Sequence, residues 1–270
     1  MSDKTTNTTL REELRSKALE FGTDAAGIAS VRDLKQSPSH LIYPKLPSYS
    51  GVGSLQSRHS GPRVVNWPEK ARSCLVIGLS HPEDKPELDW WQEGLKGGTQ
   101  GNKILMSINA KLSTWLREDK GLVVHPLPYH LEKGGIFLKD AAVMAGLGCL
   151  GQSNLFVSQD FGPRIRLRAL LLEEDLEPTG PVTFDPCADC PAPCQSVCPM
   201  NAFDEQAYQQ QVYQLDQLPA RDGHFDRFLC NQQMESDGRE GKQDVKSSGQ
   251  DRLVVKYCRA CELACPAGDS

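Results

Sequence analysis

Cysteine is nearly absent from the first two thirds of this chain. Only Cys74 and Cys149 stand there, and the other eight of its ten cysteines fall in the last third. Long apolar runs are missing too. None approaches the ~20 residues of a membrane span, and the longest, such as Cys74-Leu-Val-Ile-Gly-Leu79, have the length of a buried strand. The opening Met1-Ser-Asp-Lys-Thr-Thr-Asn has no apolar core of the kind a signal peptide needs. The expectation is therefore a cytoplasmic, reducing location with no membrane partner. Positive charge is not in excess either. A net charge of −5 gives no global attraction to nucleic acid and leaves only a local basic patch as a route to it. No internal repeat is visible beyond the two cysteine groups.

Those two groups carry the chemistry. The first reads Cys187-Ala-Asp-Cys190-Pro-Ala-Pro-Cys194-Gln-Ser-Val-Cys198-Pro199. The second is Cys230, a long polar gap, and then Cys258-Arg-Ala-Cys261-Glu-Leu-Ala-Cys265-Pro266. Each group holds four thiols, and a [4Fe-4S] cluster takes four thiolates. In two-cluster ferredoxins the run C-x2-C-x2-C-x3-C-P sends its fourth cysteine to the other cluster. Cys187, Cys190 and Cys194 are then closed by Cys265, and Cys230, Cys258 and Cys261 by Cys198. Pro199 and Pro266, with no N–H and a fixed φ, suit a chain turning away from a cluster. The extra residue between Cys190 and Cys194, and the remoteness of Cys230, depart from the ferredoxin pattern. Structural zinc also uses paired C-x2-C ligands, without needing the Cys-Pro endings. A disulfide framework needs an oxidising compartment. Along the sequence no cationic surround is evident, and Asp185, Asp189 and Glu262 beside the cysteines are expected to lower the cluster potentials.

Periodicity predicts helices over 9–21, 103–120 and 138–145, the second with Ile104, Ile108, Leu112, Trp115 and Leu116 on one stripe. Strands are expected at 25–29, 72–79, 121–126, 155–158 and 164–172, the last two as a hairpin around Asp160-Phe-Gly-Pro163. Residues 36–67 and 81–101 read as long loops, 201–218 as containing a helix, and 234–251 as a flexible polar insertion. The fold class is α/β (α+β): a central sheet with flanking helices over residues 1–180, followed by a bacterial ferredoxin-type double-cluster domain over 181–270.

Gly146-Leu-Gly148-Cys-Leu-Gly151 matches G-x-G-x-x-G by letter. The dinucleotide fingerprint runs strand, glycine turn, helix. Here a helix precedes the glycines and a strand follows, which is the order of a helix C-cap. Arg164, Arg166 and Arg168 alternate along a strand and so share a face. They pair either with Glu173, Glu174 or Asp175, or with the charge of an anionic ligand. Cys74, inside an apolar strand, reads as core, and Cys149 as a small buried residue or a reactive thiol.

The segment Ala145-Gly-Leu-Gly-Cys-Leu-Gly-Gln-Ser-Asn-Leu155, then Phe161-Gly-Pro-Arg-Ile-Arg-Leu167, then the paired Cys-Pro motifs, resembles the epoxyqueuosine reductase group. More loosely it is similar to corrinoid iron–sulfur reductases, including reductive dehalogenases. The resemblance implies an enzyme in which an external donor such as ferredoxin or flavodoxin feeds two [4Fe-4S] clusters. These pass electrons to cobalamin and on to an organic substrate, a modified tRNA base in the named group. It implies that Gly146, Gly148, Cys149 and Gly151 line the corrinoid pocket, with Arg164 and Arg166 as cofactor contacts. The family's proton-donating aspartate has no counterpart here. Counting back without gaps from Ala145 reaches Glu132, with Tyr129 and His130 beside it. The other reading is a non-catalytic electron carrier, or a reductive activator of a corrinoid protein.

Overall fold

The computed structural model of the chain describes residues 2–46, 52, 63–245 and 251–268. In chain order its elements begin α1 (Ser2–Glu20), β1 (Ala25–Ser30), α2 (Val31–Leu34), α3 (Pro38–Ile42), β2 (Ser73–Ser80), β3 (Trp91–Gln92), α4 (Gln100–Glu118) and β4 (Val124–Pro126). There follow α5 (Leu138–Met144), β5 (Gly148–Leu150), β6 (Phe156–Ser158), β7 (Ile165–Leu172), α6 (Pro193–Ser196), α7 (Gln210–Tyr213), α8 (Arg227–Arg239), β8 (Lys242–Val245), β9 (Asp251–Val255) and α9 (Ala260–Leu263).

The central sheet runs β1-β2-β7-β4. Every neighbouring pair in it is antiparallel, with Ser73 opposite Leu172 and Ser80 opposite Ile165 in the long β2–β7 ladder. The fold is thus α+β. A parallel sheet would need helical crossovers between neighbouring strands, and hydrophobic runs alone do not distinguish the two. β2 and β7 read as unbroken apolar runs because both faces are covered. Leu75, Ile77, Leu170 and Leu172 face one core with Leu14 and Ala18 of α1 and Leu105, Ile108, Leu112 and Leu116 of α4. Cys74, Val76, Ala169 and Leu171 face the other with Ala141, Ala142 and Phe156. α4 starts where the Thr99 hydroxyl accepts the Asn102 N–H at 3.1 Å, an N-cap of the usual kind.

The structure departs from the sequence reading in four places. The expected hairpin around 160–163 turns tightly, with Ser158 bridging Gly162. Its second strand, however, leaves for the central sheet while β6 pairs with β5. The loop at 81–101 contains β3, which joins β9 and β8 in a second sheet, and Lys256 stacks its ammonium 4.0 Å over the Trp90 ring. The polar stretch after Cys230 carries α8 and β8 as far as Val245, and residues 246–250 of the expected insertion lie outside the described residues. Asp226 caps α8 by accepting the Phe228 and Leu229 N–H groups at 2.7 and 3.1 Å, and Asn231–Glu235 and Gln233–Asp237 bond along it. Such polar i,i+4 support leaves no hydrophobic periodicity to read. The expected loop at 36–67 begins with α3, whereas the helix expected within 201–218 is present as the one-turn α7.

Part of the stretch at 36–67 is seated by a buried carboxylate. Asp140 Oδ2 accepts the Ser37 hydroxyl at 2.7 Å and the Ser39 N–H at 2.8 Å, which fixes α3 against α5. His40 bonds Ser37 through Nδ1 at 2.7 Å, and the Phe137 N–H donates to its Nε2 at 3.3 Å. A ring nitrogen that accepts an amide is unprotonated, so His40 folds in neutral. Burial lowers its pKa to about 4, against the opposing pull of Asp140. The folded pKa lies below the unfolded value, so the stability gained from neutral His40 is full above about pH 6.5 and is lost as pH falls toward 4. Between pH 7 and pH 5 this residue should remove about 2 kcal/mol of unfolding free energy. In anaerobic urea titrations His40→Asn should lose that slope. An unchanged slope would show that His40 does not set it.

Candidate functional site

Cys187, Cys190, Cys194 and Cys265 share the walls of one cavity of about 200 Å³, together with Gly151, Gln152 and Ser153. Cys187 and Cys190 come from the loop leading into α6, and Cys194 stands on α6 itself. The fourth arrives at the end of α9, whose chain packs beside α6. The loop is fixed by bonds between side chains and the main chain. The Gln152 side-chain amide donates to the Cys187 carbonyl at 3.1 Å, the Gln195 side-chain amide to the Gln152 carbonyl at 3.0 Å, and the Cys187 N–H to the Asp185 carboxylate at 3.1 Å.

The other four thiols form a second set. Cys230, carried on the first turn of α8, lies within electrostatic reach of Cys198 and Cys258. Cys261 is within reach of Cys230 and Cys258, and also of Cys194 in the first set, so the two sets adjoin. Among the described residues no three His, Cys, Asp or Glu side chains are spaced to hold a single metal ion. Burial, reinforced by neighbouring thiols, pushes Cys194 up to about 11 and Cys261 up to about 12. Sulfurs gathered this way are unfavourable as bare thiolates and favourable once a cation replaces their protons. The donor chemistry of both sets fits iron–sulfur cages.

The charge around these sets differs from the sequence reading. Asp185 is neutralised by Arg221 at 2.6 Å. Glu262 lies against Arg166 at 2.7 Å and also pairs with Arg259. Cations reach the thiols, three of them from distant segments: Arg221 toward Cys149, Arg164 toward Cys265 and Lys139 toward Cys230, with Arg227 one turn before Cys230 on α8. Asp89 ties the two halves of the chain together. It meets Arg166 at 3.0 Å, Arg259 at 2.9 Å and the fully buried His81. Burial alone would raise the Asp89 pKa, but the His81 hydrogen bond and the two guanidinium groups outweigh it and hold the carboxyl below its usual range.

No protein-family model matches the chain. Among curated proteins it is 23% identical over 267 residues to an epoxyqueuosine reductase from Lactococcus garvieae (strain Lg2), covering 95% of this chain and 69% of that protein. Among solved structures it superposes on an epoxyqueuosine reductase with a tRNA-Tyr epoxyqueuosine-modified stem loop at TM-score 0.62. That match has 16% identity and covers 98% of this chain and 66% of the other. The chain is epoxyqueuosine reductase-like. A catabolic reductive dehalogenase in complex with 3-bromo-4-hydroxybenzoic acid shares the fold at TM-score 0.58 and 14% identity, over 94% of this chain and 31% of that one. The chain spans about two thirds of the length of the epoxyqueuosine reductases it matches.

In this epoxyqueuosine reductase-like chain the glycine segment follows α5 as a helix cap. Gly146 has φ +72°, its N–H bonds the Val143 carbonyl, and the Leu147 N–H bonds the Ala142 carbonyl, a Schellman arrangement. A Cβ on Gly146 would stand 2.7 Å from the Thr179 carbonyl oxygen, and one on Gly148 2.0 Å from that of Val157. Their bareness serves the chain's own backbone, while Gly151 faces the cysteine-lined cavity. Cys149 is half-buried. Burial first, then Cys187, pushes its thiol up to about 12. Cys74 is fully buried core.

The arginines expected to meet a cofactor are committed elsewhere. Arg164 donates to the Cys265 and Ala267 carbonyls, and Arg166 pairs with Asp89 and Glu262. The sequence left open pairing with Glu173, Glu174 or Asp175 or contact with an anionic ligand; those acids follow the end of β7, and the arginines meet the tail carbonyls, Asp89 and Glu262 instead. Arg168 donates to Asn102 of α4.

Tyr129, His130 and Glu132 lie on one loop. Tyr129 is 53% exposed and meets the His130 ring edge-on at 5.5 Å. Among the described residues His130 Nδ1 is buried without a hydrogen-bond partner. Glu132 is exposed, in reach of Tyr43. Among the described residues no hydrogen bond joins these three side chains. Lys139 carries no motif and was missed. It donates to the Asn154 carbonyl, and burial lowers its pKa to about 8 although Asp140, Cys230 and Cys261 oppose the shift. The one available signal was its place on the polar edge of a helix that enters the glycine segment.

Proposed function

We propose that the chain is an iron–sulfur oxidoreductase of the epoxyqueuosine reductase type. An α+β part, residues 1–180, and a double-cluster ferredoxin-type part, residues 181–270, cooperate in reducing an organic substrate. The single observation that carries this reading is the meeting of Cys265 with Cys187, Cys190 and Cys194 around one cavity. Cys187, Cys190, Cys194 and Cys265 would hold the first cluster, and Cys198, Cys230, Cys258 and Cys261 the second. When bound, the clusters supply one-electron transfer from an external donor such as ferredoxin or flavodoxin.

The chain's own groups do the rest. Cys187, Cys194 and Cys265 are buried, and Arg164, Arg221, Arg227 and Lys139 offset the added negative charge. Lys139→Gln should lower the midpoint potential of the second cluster by on the order of tens of millivolts. An EPR-monitored redox titration measures this, and an unmoved potential would separate Lys139 from the cluster. Glu132 is the proposed proton donor to substrate, with Tyr129 and His130 beside it. Glu132→Gln should cut turnover about a hundredfold or more with iron content unchanged. Wild-type turnover in that variant would move the role to His130.

A tRNA base bearing epoxyqueuosine is the proposed substrate, on the likeness to the stem-loop complex. Cobalamin rests on the family likeness, because Gly146, Gly148, Arg164 and Arg166 are turned to partners within the chain. That commitment favours a second reading, an electron carrier or an activator that reduces a corrinoid held by another protein. Anaerobic protein titrated with cobalamin and then offered epoxyqueuosine-containing RNA decides between them. Tight cobalamin binding with loss of the epoxide supports the enzyme. Intact clusters with neither result support the carrier.

A further inference from the structure

The segment Phe161-Gly-Pro-Arg164 has so far only a resemblance to account for it, yet it touches the cysteine tail at close quarters. Gly162 has φ +55°, and a Cβ there would stand 1.8 Å from the Ala267 carbonyl oxygen, so no larger residue fits without moving the tail. The approach is mutual, since a Cβ on Gly268 would come within 2.2 Å of the Gly162 nitrogen. Two residues on, Arg164 is 5% exposed and donates to the Ala267 carbonyl at 2.7 Å and the Cys265 carbonyl at 3.1 Å. The turn itself is rigidly held. Ser158 and Gly162 exchange main-chain bonds of 2.7 and 3.1 Å, and Ile165 enters the central sheet opposite Ser80. Cys265 is therefore held by the sheet as well as by its own short helix, where its N–H bonds the Glu262 carbonyl at 3.3 Å.

We propose that the Gly162–Arg164 turn is the positioning element for Cys265, docking the tail of the second cysteine motif so that its last thiol closes the first cluster. This rests on the two-cluster reading above. Arg164 also donates to the Glu262 carbonyl at 3.5 Å, one residue past Cys261, but its shorter bonds fall on Cys265 and Ala267 beside the first cluster. Loss of the turn should therefore fall mainly on the first cluster. Arg164 also brings a fixed positive charge toward the Cys265 sulfur.

The test compares Gly162→Ala, Arg164→Gln and Arg164→Lys with the wild type, all purified without oxygen, by iron content, circular dichroism and EPR. In Gly162→Ala the first cluster should lose its fourth ligand. Iron falls toward half the wild-type content as the first cluster is lost, and the reduced second cluster keeps its spectrum. Arg164→Gln should lower the first cluster's midpoint potential and occupancy, with Arg164→Lys restoring part of both. Should Gly162→Ala fail to fold, Arg164→Gln decides alone, because it leaves the backbone of the turn intact. Wild-type iron and spectra in both variants overturn the proposal, as does equal loss of both clusters. A wild type without iron would instead sink the reading on which it rests.

Discussion

Cys265→Ala should lower iron from about eight atoms per chain to about four, and adding Cys187→Ala to it should lower iron no further. This non-additivity is the signature of a crossed ligand set. If Cys187 and Cys265 serve the same cluster, the second substitution removes nothing that the first had not removed. If each cysteine motif closed its own cluster, the double variant would be nearly free of iron. Pairing Cys265→Ala with Cys198→Ala gives the opposite outcome and should strip both clusters. The basis is the cavity that brings Cys265 beside Cys187, Cys190 and Cys194, together with the mutual reach of Cys198, Cys230, Cys258 and Cys261. Iron analysis of the four proteins, with EPR of the reduced forms, reads the result directly.

The second large effect concerns stability. Glu262→Ala should destabilise the chain by about 3–5 kcal/mol, because it leaves Arg166 and Arg259 facing each other with only Asp89 between them. A loss of that size corresponds to a melting temperature lower by roughly 10 °C. Glu262 is 4% exposed and Asp89 nearly as buried, so solvent screens these pairs little. Removing one member of a buried network leaves an uncompensated charge, which costs more than the net value of the pair. Adding Arg259→Met should recover part of the loss, since it removes one stranded cation. Calorimetry on anaerobic protein checks both. A Glu262→Ala variant within 1 °C of the wild type would mean that the halves of the chain are held together by something other than this network.

How much of this could be read from the sequence follows from the range of each signal. β1, β2, β7 and α4 were legible because burial on two faces, or on one stripe, leaves a local apolar pattern. The meeting of Cys265 with Cys187, Cys190 and Cys194 was legible from the ferredoxin-type spacing, because that spacing is itself local. What failed was long-range. Nothing in Trp91-Gln92 announces a partner at Val254-Val255, and nothing in Arg166 names Asp89 rather than Glu173. α8 was hidden because Asp226, Glu235 and Asp237 hold it with polar bonds, which look like disorder in a periodicity reading. The cations near the thiols were invisible for the same reason, since Arg164 and Lys139 reach them across the fold. The glycines were legible as a helix cap, but what fills the space beside them is another stretch of the same backbone.

The central claim is that eight thiols from two interleaved motifs hold two iron–sulfur cages. Its most direct test is elemental analysis of iron, acid-labile sulfide and zinc on chain isolated under strict exclusion of oxygen. Two cages require about eight irons and about eight sulfides per chain, with zinc at background. Brownless protein carrying stoichiometric zinc and no labile sulfide would contradict it.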